Sequence, residues 1–122
     1  MYLLFDIGGT NIRIAVSSDG KEIGEVLSIP TPQDFDEGIK EIIDATADLV
    51  CCFKPNSAFY ESQGADGIQA LKDTCDYINK KYPDIPVILD YKRGDIGNTN
   101  AQYAQFAFDY LNVDAVTYQV YM

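Results

Sequence analysis

The second half of the chain alternates between short apolar segments and longer segments of helical periodicity, and this alternation constrains the fold most. The apolar segments are residues 49–54, 86–91 and 113–120. Between them, residues 67–80 and 99–111 repeat apolar side chains every three or four positions, which predicts two helices. Strands separated by helices form parallel βαβ units with right-handed crossovers. The expected fold class is therefore α/β.

The first 29 residues follow a different pattern. An apolar run at residues 2–5 is interrupted by Gly8-Gly9, and apolar residues then alternate with polar or small ones over residues 11–16. A period of two predicts strands. The Asp19-Gly20 pair is typical of a two-residue hairpin turn, and residues 22–29 supply the return strand. We expect an antiparallel β-meander.

A helix is expected to join the two patterns. Pro30 and Pro32 end the meander, and Asp34 is a predicted N-cap for a helix that extends to about residue 47. The predicted architecture is an N-terminal β-meander with the start of this helix (1–42), followed by a partial (β/α) TIM-barrel segment of βαβαβ type (43–122). A closed barrel needs about 200 residues or more, so 122 residues predict only a part of one.

Composition excludes several classes of function. Nineteen acidic against nine basic residues give a net charge of -10, which disfavours nucleic acid as a partner. The apolar runs are too short for a membrane span and the first residues do not resemble a secretory signal, so we expect a cytoplasmic protein without a membrane partner. The absence of histidine excludes catalysis by Ser-His or Cys-His pairs. Three cysteines without metal-type spacing predict reduced core thiols and no metal site, namely Cys51, Cys52 and Cys75.

The densest group of ionisable side chains directly follows the apolar strand 87–89. It contains Asp90, Lys92 and Asp95. Ligands of α/β barrels bind at the carboxyl ends of strands, where Asp90 and Lys92, two positions apart, should project to the same side. A lysine beside carboxylates keeps its proton and can deliver it to a carbanion. The alternative interpretation is a polar loop with surface ion pairs.

A second lysine ends the preceding predicted strand. Pro55 stops that strand directly after Lys54, so Lys54 should lie at the same rim as Asp90. A single lysine at a strand end is often a surface residue with its stem packed on apolar groups. The combination of Lys54, Asp90 and Lys92 favours a ligand-binding site over surface ion pairs.

Three motifs in this region resemble orotidine 5'-monophosphate decarboxylases of the bacterial, longer-loop type. They are Phe-Lys-Pro-Asn at 53–56, Leu-Asp-Tyr-Lys-Arg-Gly-Asp-Ile-Gly-Asn-Thr at 89–99 and Asp-Ala-Val-Thr at 114–117. The resemblance covers residues 43–122 and implies a cofactor-free lyase. It implies a catalytic array in which Lys54 contacts the ribose, Asp90 crowds the departing carboxylate, Lys92 protonates C6 and Asp95 completes the array.

The same resemblance implies further contacts to a small-molecule nucleotide substrate. Asn56, Ile96 and Thr99 are the implied substrate-binding residues. Asp95, Ile96 and Thr99 would reach the active site of the partner in a homodimer. The loops that grip the substrate phosphate in this family have no counterpart in the sequence, so we expect weak activity at most.

The beginning of the chain resembles a different family. Residues 5–16, Phe-Asp-Ile-Gly-Gly-Thr-Asn-Ile-Arg-Ile-Ala-Val, are similar to the phosphate-binding turn of ROK-family sugar kinases. This resemblance implies that Asp6, Gly8, Gly9 and Thr10 bind the phosphates of ATP together with Mg²⁺. The alternative interpretation is a plain glycine hairpin.

Three hypotheses follow from these two resemblances. The first is a truncated or fused decarboxylase-like lyase, joined to the kinase-like segment near residue 43. The second is an ATP- and Mg²⁺-binding fragment of a sugar kinase. The third is a chimera without catalytic activity.

Overall fold

The computed structural model describes residues 2–7, 10–31 and 34–121. The chain forms two compact units, Met1–Gly38 and Ile39–Met122. Among the described residues, no helix is both long enough and apolar enough to cross a membrane.

The first unit contains the predicted β-meander. Strands β1 (Tyr2–Ile7), β2 (Asn11–Ser17) and β3 (Val26–Pro30) form an antiparallel sheet in that order. Gly8 and Gly9, predicted to form the first turn, lie outside the described residues.

The central strand β2 follows the predicted alternation only in part. We expected Ile12, Ile14 and Val16 to share the buried face, and Ile12 is 4% exposed as expected, but Val16 is 45% exposed. Ala15 and Ser17, which alternate with these residues, are also buried. The buried hydroxyl of Ser17 is satisfied by a hydrogen bond, which it accepts from Gly20 N–H at 2.8 Å.

The prediction of a two-residue hairpin at Asp19-Gly20 was wrong, because the connection extends from residue 18 to residue 25 and β3 begins at Val26. Asp19 Oδ1 accepts the backbone N–H groups of Lys21 at 2.9 Å and Glu22 at 3.1 Å, which lowers the pKa of Asp19. Backbone N–H groups that are bonded to a nearby side chain in this way are not available for pairing with a neighbouring strand. The return strand therefore starts later than residue 22.

The second unit alternates helices and strands, as predicted. Its elements are α1 (Phe35–Thr46, which starts before the unit boundary), α2 (Ser57–Glu61), α3 (Gly64–Lys81), β4 (Ile88–Arg93), α4 (Gly97–Ala104), a π-helical turn (Gln105–Tyr110) and β5 (Ala115–Tyr118). The short helix α2 was not predicted. The π-helical turn also differs from the single helix expected over 99–111, since Leu111 N–H donates to Phe106 C=O, five residues back, at 3.0 Å.

Strands β4 and β5 pair in parallel, and the segment before α2 lies along the other edge of β4. That segment is not the strand predicted over 49–54. It forms isolated bridges from Phe53 to Val87, directly before β4, and from Asn56 to Asp90 on β4. Pro55 between them has no N–H to donate, and its carbonyl accepts Asp90 N–H at 2.9 Å. Three parallel segments therefore end at one rim.

The core lies between these segments and the helices. As predicted, α3 contributes Leu71, Cys75 and Ile78, all at most 1% exposed. Burial raises the pKa of the Cys75 thiol to about 12. Cys51 is exposed and Cys52 half-buried, so the expectation of three core thiols was wrong for this pair. The other buried members of the core are Ile43, Tyr60, Val87, Leu89, Ala107, Leu111 and Val113.

A carboxylate on α1 ties this helix to the end of α3. Asp44 accepts hydrogen bonds from the Tyr77 hydroxyl at 2.8 Å, Lys81 Nζ at 2.7 Å and the Tyr82 hydroxyl at 2.8 Å. These donors, Lys81 first, lower the pKa of Asp44 to about 2. The ionised form therefore fastens α1 to α3.

We expect Asp44→Asn to lower the free energy of unfolding at neutral pH. Because the folded state depresses the pKa of Asp44, its contribution is complete above the ordinary value of 3.8 and is lost as the pH falls through about 2. Urea unfolding of the two proteins at several pH values should show a difference that shrinks in acid. Asp48→Asn is the matched control, since Asp48 is exposed and accepts none of these hydrogen bonds. A pH-independent difference would contradict this explanation.

Candidate functional site

A lysine, an aspartate and a second lysine meet at the rim where the parallel segments end. Lys54 Nζ lies 2.6 Å from Asp90 Oδ2, and Lys92 Nζ donates to Asp90 Oδ1. The predicted placement of Lys54 and Asp90 at a common rim is confirmed. Lys54, Asp90 and Lys92 together form the Lys-Asp-Lys cluster.

Asp90 is the buried centre of this cluster. It is 5% exposed, whereas the side chains of Lys54 and Lys92 are 51% and 66% exposed. Hydrogen bonds from Lys54, Lys92 and the Thr117 hydroxyl hold the pKa of Asp90 far below its usual range. The carboxylate is thus ionised at neutral pH, and two ammonium groups project from it toward solvent.

An irregularity in β4 brings Asp90 and Lys92 together. Leu89 pairs with Val116 and Arg93 with Tyr118, so three residues of β4 face the single residue Thr117 of β5. Lys92 has a φ of 48°. That left-handed conformation costs a residue with a side chain about 1–2 kcal/mol. Bulges of this kind occur next to active sites, where they redirect a side chain.

The backbone beyond Lys92 is fixed by a close approach to β5. A Cβ atom at Gly94 would lie 2.2 Å from the carbonyl oxygen of Gln119, so only glycine fits there without a backbone shift. Gln119 N–H in turn donates to the carbonyl of Arg93 at 3.2 Å.

Arg93 connects the bulge to the neighbouring helices. Its Nη2 lies 2.7 Å from Glu61 Oε1 on α2, and its guanidinium packs over the rings of Tyr91 and Tyr103. Arg93 lowers the pKa of Glu61. The residue that follows Lys92 is therefore held from three directions.

Asn56 has a structural role close to the cluster. Its Oδ1 accepts Ala58 N–H at 3.1 Å and caps the start of α2. Its backbone bridges Asp90 on β4. The predicted contact of Asn56 with substrate stays a prediction.

The remaining predicted decarboxylase residues are not brought to the Lys-Asp-Lys cluster by the contacts of this chain. Asp95 Oδ1 accepts the N–H of Ile96 at 2.7 Å, and the Ile96 side chain is 73% exposed. Thr99 is exposed on the first turn of α4, and its backbone N–H donates a hydrogen bond to the Ile96 carbonyl at 3.2 Å. All three precede or begin α4, where Ile96 and Thr99 are exposed and Asp95 is half-buried.

The residues predicted from the kinase resemblance show no phosphate-binding arrangement where they are described. Asp6 is paired with Arg13 at 3.3 Å, and the carbonyl of Thr10 accepts Thr31 N–H at 2.9 Å. Gly8 and Gly9 lie outside the described residues. Within the described part of the chain, no group of three acidic or cysteine side chains is placed to hold a metal ion.

Comparison with known proteins shows the family of the chain. The model of the Orotidine 5'-phosphate decarboxylase / HUMPS family matches residues 27–122. The chain belongs to this family. An orotidine 5'-phosphate decarboxylase of Parabacteroides distasonis is 54% identical over 83 residues, which are 68% of this chain and 30% of the relative. One from Bacteroides fragilis is 45% identical over 109 residues, 89% of this chain and 39% of the relative.

About three quarters of this α/β chain superimposes on a part of solved structures of the family. The OMP decarboxylase of Leishmania donovani superimposes with a TM-score of 0.65 at 38% identity, covering 72% of this chain and 36% of that one. The chain thus spans about a third of the length of these relatives.

The family match begins earlier than the resemblance predicted. It starts at residue 27 rather than 43, and the Bacteroides fragilis alignment is long enough to include part of the first unit. These matches give the ROK-kinase resemblance of residues 1–42 and the chimera no support. Both stay predictions.

Thr117 was missed as a site residue. It stood in the Asp-Ala-Val-Thr motif, but a threonine in a strand has an ordinary explanation in strand propensity. Its position at the carboxyl end of the strand next to β4 could have indicated that it lies at the site. Its contact with Asp90 depends on the bulge, which the sequence pattern did not indicate.

Proposed function

We propose that this chain carries the Lys-Asp-Lys part of the active site of an orotidine 5'-monophosphate decarboxylase, a lyase that converts the substrate to uridine 5'-monophosphate. The observation that supports this most is the buried, ionised Asp90 between two solvent-facing ammonium groups. A surface ion pair would not require a buried carboxylate with three side-chain donors.

The cluster suits the loss of carbon dioxide from a carbon that must briefly hold an electron pair. In the proposed reaction, the bond between C6 and the carboxylate breaks and its electrons stay on C6. Lys92 then transfers a proton from Nζ to C6 and recovers one from solvent. Asp90 repels the substrate carboxylate before the bond breaks, while the Lys92 ammonium stabilises the carbanion. The proposed chemistry requires no cofactor.

The remaining roles follow from the same proposal. Lys54 holds Asp90 in place and contacts the ribose, and Asn56 lies beside it. Asp95, Ile96 and Thr99 act in the partner's site of a homodimer, which agrees with the exposure of Ile96 and Thr99 on this chain. The second unit with α1 forms one segment of a TIM barrel, so the proposed division of the chain near residue 42 falls in α1.

Nucleotide titrations followed by NMR test this proposal. Uridine 5'-monophosphate should shift the backbone amide resonances of Lys54, Asp90 and Lys92 in the isotope-labelled chain. Asp90→Asn should weaken binding or alter these shifts, whereas Lys80→Ala, an exposed change on α3, should not. Uridine without phosphate measures how much the phosphate contributes.

The same experiment separates the alternatives. Shifts at Asp6 and Thr10 with ATP and Mg²⁺, but none at the Lys-Asp-Lys cluster with uridine 5'-monophosphate, would favour the kinase-like hypothesis. No response to either nucleotide would favour a chimera without catalytic activity and would contradict our proposal.

A further inference from the structure

Thr117 occupies an unusual position between the bulge and the charged cluster. It is the only residue of β5 between the two paired positions that flank three residues of β4. Its hydroxyl oxygen lies 3.1 Å from the Lys92 backbone nitrogen and 2.9 Å from Asp90 Oδ1. One small side chain therefore contacts both of the groups that the bulge brings together.

The direction of these two hydrogen bonds is determined by their chemistry. A backbone N–H can only donate, so the Thr117 oxygen accepts from Lys92. An ionised carboxylate can only accept, so the Thr117 hydroxyl donates to Asp90. The single hydroxyl proton and a lone pair are both in use.

The bond to the Lys92 backbone lies where the β4–β5 ladder is irregular. In a regular ladder the N–H groups of a strand donate to carbonyls of its neighbours, but the bulge removes that regularity around Lys92. Lys92 also has the left-handed φ of 48°, which a residue with a side chain adopts only when its surroundings impose it. Thr117 supplies a fixed acceptor at that point.

We propose that Thr117 is a positioning residue of the decarboxylase site, which holds the Lys92 backbone in its left-handed conformation and aligns the Asp90 carboxylate beside the Lys92 ammonium. This inference rests on the proposed function for its consequence, but its geometry does not depend on any substrate. Thr117 acts through Lys92 and Asp90 and does not itself need to touch the nucleotide.

Two substitutions separate the hydroxyl from the shape of the side chain. Thr117→Val keeps the branched shape and removes the hydroxyl, whereas Thr117→Ser keeps the hydroxyl. Hydrogen exchange of the Lys92 amide should become roughly tenfold faster in Thr117→Val, because a hydrogen bond is lost. It should stay within about twofold of the original rate in Thr117→Ser. The Ile88 amide, which donates to Phe53 C=O on the opposite edge of β4 at 2.8 Å, is the internal control.

Binding of uridine 5'-monophosphate supplies the functional readout. The dissociation constant should rise roughly tenfold in Thr117→Val and be restored in Thr117→Ser, since the serine hydroxyl replaces both hydrogen bonds. If the valine variant fails to fold, Thr117→Ala removes the same hydroxyl without added bulk. Serine and valine variants that behave alike, or an unchanged Lys92 exchange rate in Thr117→Val, would overturn the inference.

Failure of the proposed function has a different signature. In that case the original chain does not bind uridine 5'-monophosphate at all, while Lys92 exchange still responds to Thr117→Val and recovers in Thr117→Ser. That result would keep the positioning of Lys92 and remove its assignment to a decarboxylase.

Discussion

Lys92→Ala should reduce decarboxylation by roughly 10²–10⁴-fold in a form of this chain extended with the remaining part of a family member, because it removes the proposed general acid. The assay follows the loss of ultraviolet absorbance of orotidine 5'-monophosphate. Lys92 contacts the buried Asp90 through its ammonium group, so the alanine variant also removes one of the two positive charges paired with that carboxylate. Because the proposed proton transfer takes place in the bound complex, we expect the loss mainly in turnover.

A second variant distinguishes proton transfer from charge. Lys92→Arg keeps a positive charge beside Asp90, but a guanidinium holds its proton too firmly to deliver it at neutral pH. Activity as low as that of Lys92→Ala would support proton transfer, whereas full activity would reduce Lys92 to an electrostatic role. Lys80→Ala on α3 removes an exposed lysine elsewhere and should leave turnover unchanged.

The unextended chain should show activity near background even though the Lys-Asp-Lys cluster is formed. Binding energy from a remote phosphate contributes to holding the reacting group in place, so losing that grip lowers turnover as well as affinity. The chain spans only 30% of the length of its Parabacteroides distasonis relative. Robust activity of the unextended chain that Lys92→Ala abolishes would show that this part carries more of the site than we propose.

The rim of the site could be predicted from sequence because parallel strands align their carboxyl ends. Once residues 49–54 and 86–91 were interpreted as neighbouring parallel segments, Lys54 and Asp90 had to be close, and they lie 2.6 Å apart. The prediction did not require the first segment to be a regular strand. Two bridges around Pro55 were enough to fix its position.

The details that depend on local backbone geometry could not be predicted in this way. Sequence periodicity assumes regular pairing, whereas the bulge opposite Thr117 and the π-helical turn before Leu111 both depart from it. The late start of β3 is a further departure from regular pairing, because Asp19 accepts the backbone N–H groups of Lys21 and Glu22. In each case a hydrogen bond outside the regular pattern determined the structure.

The opening glycine motif shows a different limit. A Gly-Gly turn between two antiparallel strands satisfies the same backbone requirements whether or not it binds phosphate. Asp6 meets Arg13 across the antiparallel strands, in register with it. The motif therefore predicted the strands correctly without testing the kinase function.

The second large effect concerns stability. Leu71→Ala should destabilise the folded chain by about 2–5 kcal/mol, because Leu71 is completely buried and its loss leaves a cavity in the core that it shares with Val87 and Leu89. Small domains are stable by only about 5–15 kcal/mol, so a loss of this size can unfold a large share of the molecules at physiological temperature. Urea unfolding followed by circular dichroism measures the change.

Two controls decide whether burial is the cause. Leu49→Ala makes the same chemical change at a side chain that is 64% exposed, and it should alter the unfolding free energy by no more than about 0.5 kcal/mol. Leu71→Met keeps nearly the same volume and should cost less than about 1.5 kcal/mol. Equal effects of Leu71→Ala and Leu49→Ala would contradict the placement of α3 on the core. Since β4 carries Asp90 and packs through Leu89 into the same core as Leu71, loss of that packing should also weaken nucleotide binding at the rim.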